Sequence, residues 1–253
     1  MSKIYLGTVA LEKNRWAPGR IPSFEVSDLI PAITDNGFDG VELWQYHYTH
    51  VADEEKAKLA ASGVPFYLST YISIVNRNEE VYKEIGDVAK AIGAKGLKYN
   101  FGKRLDTAPD IDSQIENLKC LCGYLPDDTK LLCECHAGTI MEDPELAGEV
   151  FSKLDKERFG AIIHLETDTD FADRCFKNYG DRIWHIHCAY KNGNDGFVAM
   201  DDGTGNVEKL IKYYESKGFN GSYAIEFVKF EPDAESHLKH AIEDVKYLKK
   251  IIK

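Results

Sequence analysis

Carboxylates and imidazoles recur in this sequence inside short apolar runs, where they cost free energy unless something uses them. The places are Val41-Glu42-Leu43-Trp44, Cys133-Glu134-Cys135-His136, His164-Leu165-Glu166, His185-Ile186-His187 and Ile225-Glu226-Phe227. Burying an unpaired carboxylate costs several kcal/mol, and nothing in a purely structural role asks for it on four separate runs. A shared divalent cation offsets that cost. Oxygen ligands joined by an imidazole suit manganese or magnesium first, with cobalt or zinc as further choices.

Groups gathered in this way need a scaffold that ends several strands at one level. Runs with strand chemistry occur at 4–8, 41–44, 66–68, 96–99, 131–135, 161–165, 183–187 and 223–227, spaced by roughly thirty residues, as βα units are. Four approaches to a strand share one grammar, NGFDGVEL, SGVPFYL, IGAKGLKY and KGFNGSYAIEF, in which a glycine ends the preceding helix. Helices are expected at 78–92, at 108–124 with Pro109 in the first turn, at 144–154 behind an Asp143 N-cap, and at 234–252. Strict alternation of eight strands with helices predicts an α/β fold, a (β/α)8 TIM barrel, with its active groups at the C-terminal ends of the strands. Two places resist the scheme. Pro31 falls inside the first helix, which must then start late or bend. The segment 190–204 is too long for an ordinary βα connection.

The 253 residues suit one barrel domain spanning 1–253, and 43% hydrophobic with 29% charged residues is ordinary globular composition. A formal charge of −11, from 31 basic against 42 acidic residues, argues against nucleic acid and anionic membrane as partners. The N-terminal run has neither a signal-peptide pattern nor a spanning length, so a cytoplasmic location is expected. The six cysteines are then reduced thiols. Cys133 and Cys135 share one face of their strand, and outward packing against helices fits them better than metal binding. No GxGxxG or Walker motif opens a helix. A homo-oligomer is compatible with the sequence, though no interface can be located in it.

With these residues in place, the chain resembles the sugar phosphate isomerase/epimerase barrels, the xylose isomerase-like TIM barrels related to AP endonuclease family 2. The resemblance spans nearly the whole chain and rests on GFDGVEL at 37–43, ECHAGTIMEDPEL at 134–146, LETDTD after the sixth strand, HIHCAY at 185–190, DGTGNVEKL at 202–210 and GFNGSYAIEF at 218–227. It implies four metal ligands, Glu134, Glu166, His187 and Glu226. The family's sixth-strand pattern is Asp followed three residues later by His, whereas this chain has Glu166 and Thr169; Asp168 is an alternative ligand there. After the seventh strand the family's HxKD is replaced by His187-Cys188-Ala189-Tyr190, which removes a charged pair near the substrate.

The chemistry so implied is proton transfer beside a carbonyl through an enediolate, with Glu134 and Glu226 as the two catalytic carboxylates. The substrate is then a small sugar or sugar-like ketone, isomerised or epimerised. A dehydratase of the same fold shares the first half of that mechanism, and a non-catalytic sugar-binding barrel is the reading in which the altered sixth strand has lost its metal. DNA cleavage would need a histidine-rich multi-zinc cluster and a basic surface. Five residues are candidates for substrate binding, each with a structural alternative. Glu42 orients substrate or supports a ligand. Trp44 stacks on a sugar face or packs the barrel top. Lys98 binds an anion or neutralises the carboxylates. His136 bonds substrate or pairs with Glu134, and Lys191 replaces the lost cation or lies in solvent. His164 and His185 are expected one layer deeper, as satisfied core histidines.

Overall fold

The computed structural model describes residues 2–102, 110–165, 168–191 and 196–252. Its strands are β1 (Ile4–Gly7), β2 (Gly40–Trp44), β3 (Phe66–Ser73), β4 (Gly96–Asn100), β5 (Lys130–Glu134), β6 (Phe159–His164), β7 (Ile183–Cys188) and β8 (Ser222–Ile225). Each pairs in parallel with the next, and β1 pairs with β8 as well as β2, which closes the barrel. The described helices are α1 (Val26–Asp35), α2 (Tyr46–Thr49), α3 (Asp53–Ala61), α4 (Glu79–Ala91), α5 (Ile111–Cys122), α6 (Pro144–Ser152), α7 (Thr169–Tyr179), α8 (Asn206–Ser216) and α9 (Ala234–Ile251). All eight expected strands are present. None of the described helices is long and apolar enough to cross a membrane.

Side-chain alternation along each strand divides the molecule into two interiors. Val41, Leu43, Leu97, Cys133, Ile163 and Ile186 join the apolar cluster that the helices cover, whereas Glu42, Lys98 and His185, buried on the alternate positions, belong to the barrel's own core. Cys133 and Cys135 lie in the helix-covered layer as expected, and all six cysteines are free. At the base of the barrel, large and small residues interlock: a Cβ on Gly160 would sit 2.3 Å from the Trp184 ring, so only glycine fits there.

The local signals act as read. The first glycine of the repeated approach turns the chain at positive φ, 98° at Gly37 and 91° at Gly218. Asn78 caps α4 by accepting from the Val81 N–H at 3.2 Å, and Asp143 caps α6 by accepting from Glu145 and Leu146 at 3.1 and 3.0 Å. The fifth helix begins later than expected, behind Asp110 as its cap; Ala108 and Pro109 lie outside the described residues. The first helix starts five residues before Pro31 and runs on through it to Asp35. Its first turn is held from another helix, where the buried Glu55 of α3 accepts from the Ser27 N–H at 2.9 Å and from the Ser27 hydroxyl. The long segment after β7 folds back on itself through an antiparallel bridge between Lys191 and Phe197.

Candidate metal centre

At the C-terminal mouth of the strands, one ligand atom each from Glu134, His164, His187 and Glu226 falls within 4.8 Å of the others. These residues come from β5, β6, β7 and the position just past β8. His187 Nδ1 lies 3.4 Å from Glu134 Oε1 and 3.3 Å from Glu226 Oε1. His164 Nε2 lies 3.6 Å from Glu134 Oε1 and 3.6 Å from Glu226 Oε2. His164 is therefore not the deeper core histidine expected from the sequence. It pairs in register with His187 and shares its level, with a quarter of its side chain exposed to the cavity.

The reason lies in the sixth strand. It begins at Phe159, two residues before the expected start, and ends at His164. The pairing with β7 then skips Trp184, since Ala161 faces Ile183 while Ile162 faces His185. Counting inward positions from Gly160, through Ile162 to His164, would have found this residue, just as Leu132 leads to Glu134 on β5. Glu166, the ligand implied by the family resemblance, lies outside the described residues. Asp168, the alternative, is the N-cap of α7 and accepts from Asp170 and Phe171 at 3.0 and 3.1 Å.

Beneath the four ligands, Glu42 Oε2 takes both His185 Nε2 at 3.0 Å and His187 Nε2 at 3.2 Å. Burial opposes the charge on Glu42, but His187 and His185 outweigh it and hold the carboxyl well below its ordinary range. His185 is completed by the Ser222 hydroxyl at 2.7 Å, a satisfied core histidine as expected. With Nε2–H committed to Glu42, the other nitrogen of His187 is turned toward Glu134 and Glu226. That Nδ1 is buried and has no hydrogen-bond partner, and the carboxylate behind the ring orients it as carboxylates orient metal-ligating histidines.

Lys98 Nζ is 2.9 Å from Glu134 Oε2, with both side chains under a tenth exposed. Burial disfavours its charge, yet Glu134, Glu226 and Glu42 together raise its pKa above the ordinary lysine value. Glu134 in turn is pushed down to about 2, because Lys98 and His187 overcome its desolvation. Lys98 is thus paired with the carboxylates, and it also lines the cavity above them. Burial opposes the charge on His187, but Glu42, Glu226 and Glu134 outweigh it and hold the ring well above the ordinary imidazole range, so a bound divalent cation would take the place of its Nδ1 proton. A buried nitrogen without a hydrogen-bond partner and two carboxylates within 3.3–3.6 Å of the imidazoles make the residues present a fit for such an ion.

Above this floor opens a cavity of about 480 Å³, lined by Glu134, His164 and Glu226 below and by Val9, Trp16, Leu165, Phe197 and Phe227 at the sides. Phe197 and Phe227 stack at 4.8 Å, and Trp16 is 68% exposed. Sequence reading leaves Trp44 between a sugar-stacking platform and barrel-top packing. Trp44 is buried to 1% exposure and packs edge-on against Tyr46 and His47, so barrel-top packing is its place. Trp16 was missed, although it lies on a βα loop at the active end. That loop is anchored by Glu12, fully buried and pushed down to about 2 because His47 and the Ser23 and Asn14 N–H groups outweigh its desolvation. His136 is exposed on the rim, its Nδ1 donating to the Ala137 carbonyl at 2.6 Å and its ring edge-on to His164. Lys191 is also exposed, its ammonium 4.8 Å from the Phe197 ring centre. Both line the cavity.

A closed parallel barrel with its polar centre at the C-terminal ends of the strands defines the class of (β/α)8 barrel proteins. Within that class the chain belongs to the xylose isomerase-like TIM barrel family, whose model matches residues 30–251. Among solved structures, it is similar in fold to 3-keto-D-glucoside 4-epimerase, YcjR, from E. coli, at 15% identity over 99% of this chain and 100% of that one with a TM-score of 0.63. The probable 3-DHS dehydratase AsbF from Bacillus anthracis matches at 15% identity, 97% and 99% coverage and a TM-score of 0.70. A xylose isomerase-like TIM barrel protein from Mycobacterium smegmatis in complex with magnesium matches at 16% identity, 99% and 96% coverage and a TM-score of 0.68. No curated protein matches the sequence.

Proposed function

We propose that this protein is a metal-dependent isomerase or epimerase of a sugar or sugar-like ketone, working by proton transfer at the carbon beside a carbonyl. The observation that carries the reading is a pair of carboxylates, Glu134 at the end of β5 and Glu226 just past β8, at the floor of one cavity, both held below their ordinary range despite burial. Glu134, His164, His187 and Glu226 would hold the divalent ion, with Glu166 as the further ligand that the family resemblance implies. A bound divalent ion supplies polarisation of the carbonyl and acidification of the adjacent C–H.

Glu134 and Glu226 then act as the two proton carriers. One, as an ionised carboxylate, removes the C–H proton to give an enediolate. For epimerisation the other delivers to the opposite face a proton taken up from solvent through the open cavity; for isomerisation the carboxylate that took the proton returns it to the neighbouring carbon while the hydroxyl proton passes between the two oxygens. Lys98 keeps Glu134 ionised and oriented, and Glu42 fixes His187. The aromatic wall of Trp16, Phe197 and Phe227 suits the C–H face of a sugar ring, while His136 and Lys191 offer polar contacts at the rim. The expected preference for manganese or magnesium assumed three carboxylates and one imidazole. Among the described residues the set is two and two.

A dehydratase is the second reading. It is favoured by His136, exposed beside His164, which is placed to protonate a departing β-hydroxyl. Incubation with ketoses, aldoses and cyclic polyol ketones in deuterated water separates the two. Epimerisation or isomerisation incorporates deuterium at the carbonyl-adjacent carbon, and dehydration gives an unsaturated ketone. Turnover without deuterium in a product that keeps its hydroxyls would overturn the proton-transfer mechanism.

A further inference from the structure

We infer that the centre selects a borderline divalent ion, zinc or its neighbours cobalt and iron(II), over magnesium, because β6 delivers the imidazole of His164 into the ligand group. The inference rests on the reading that the centre is a metal site, and goes beyond it by naming the ion's chemical class and the residue that decides it. Magnesium favours oxygen donors and keeps several waters, whereas imidazole nitrogen suits zinc, iron and their neighbours. Two of the four converging atoms, His164 Nε2 and His187 Nδ1, are imidazole nitrogens.

The converging groups lie close enough to share one ion, with carboxylate-to-imidazole separations of 3.3 to 3.6 Å. The rings are also held for this use. Glu42 occupies the far nitrogen of His187 at 3.2 Å, and His164 stands edge-on between His136 and His187 at 5.3 and 5.5 Å.

Zinc outcompetes magnesium at most nitrogen-containing sites, so the decisive measurement is how the preference changes when His164 is replaced. The full-length chain, stripped by a chelator, is titrated calorimetrically with zinc, cobalt, magnesium and manganese, alongside His164→Asp and His164→Ala, with circular dichroism verifying that each variant is folded. One zinc per chain is expected. His164→Asp should narrow the zinc-to-manganese affinity ratio by about tenfold or more, and His164→Ala should weaken zinc binding. A ratio unchanged in both folded variants would overturn the inference while leaving a metal site in place. Absence of binding by any of the four ions would instead remove the metal-site reading itself.

Discussion

The register of β6 with β7 brings His164 level with His187. Sequence reading assigns the sixth-strand ligand to Glu166, with Asp168 as the alternative, and puts His164 one layer deeper; Glu166 lies outside the described residues. At the same scale, Lys98 is the residue on which the centre's charge balance turns. Removing one partner of a buried ion pair costs about 3–5 kcal/mol, because the other is left buried and unpaired. Lys98→Met is accordingly expected to lower the urea-unfolding free energy of the metal-free protein by about that amount, with a smaller loss once metal is bound. Equal urea midpoints for variant and parent would mean that solvent already screens Glu134.

Elements were legible where the signal is local. Alternation, helix caps and the glycines before strands all act over a few residues, and the strands, α4 and α6 follow them. Elements that draw on distant partners were not legible. The first helix, which contains Pro31, is held in its first turn at Ser27 by Glu55 from α3. The sixth strand starts early because Leu131 of β5 pairs with Phe159. Asp168 belongs to this scale. As the cap of α7 it should lose about 1 kcal/mol of stability on replacement by alanine, with metal content unchanged. Thermal denaturation and metal analysis of Asp168→Ala check both halves, and loss of metal would reassign Asp168 as a ligand.

The last helix seals the barrel partly through Asp244, which accepts the Met200 N–H at 2.8 Å from the long segment after β7. Its second oxygen is buried without a partner, and burial pushes the carboxyl up to about 6. The folded pKa therefore lies above the unfolded value of about 3.9. Protonation favours the fold, a contribution complete below about pH 4 and lost as pH rises through about 6. Asp244→Asn keeps the acceptor and drops the charge, so the variant should match the parent near about pH 3 and exceed it by about 1–3 kcal/mol at about pH 8. A stability difference that is constant across this range in urea melts would contradict the assignment.

By itself the sequence determined the alternation of strands and helices, the closed barrel they imply, and the faces that carry Glu134, His187 and Glu226, because periodicity and turn chemistry are local properties of the chain. Only the tertiary structure decided depth: that His164 rises into the ligand group, that Trp44 lies in the wall while Trp16 looks into the cavity, and that Glu42 stands behind His187. Depth depends on where each strand begins and how it registers with its neighbours, and pairs such as Glu42 and His187, 145 residues apart, meet only once the barrel has closed.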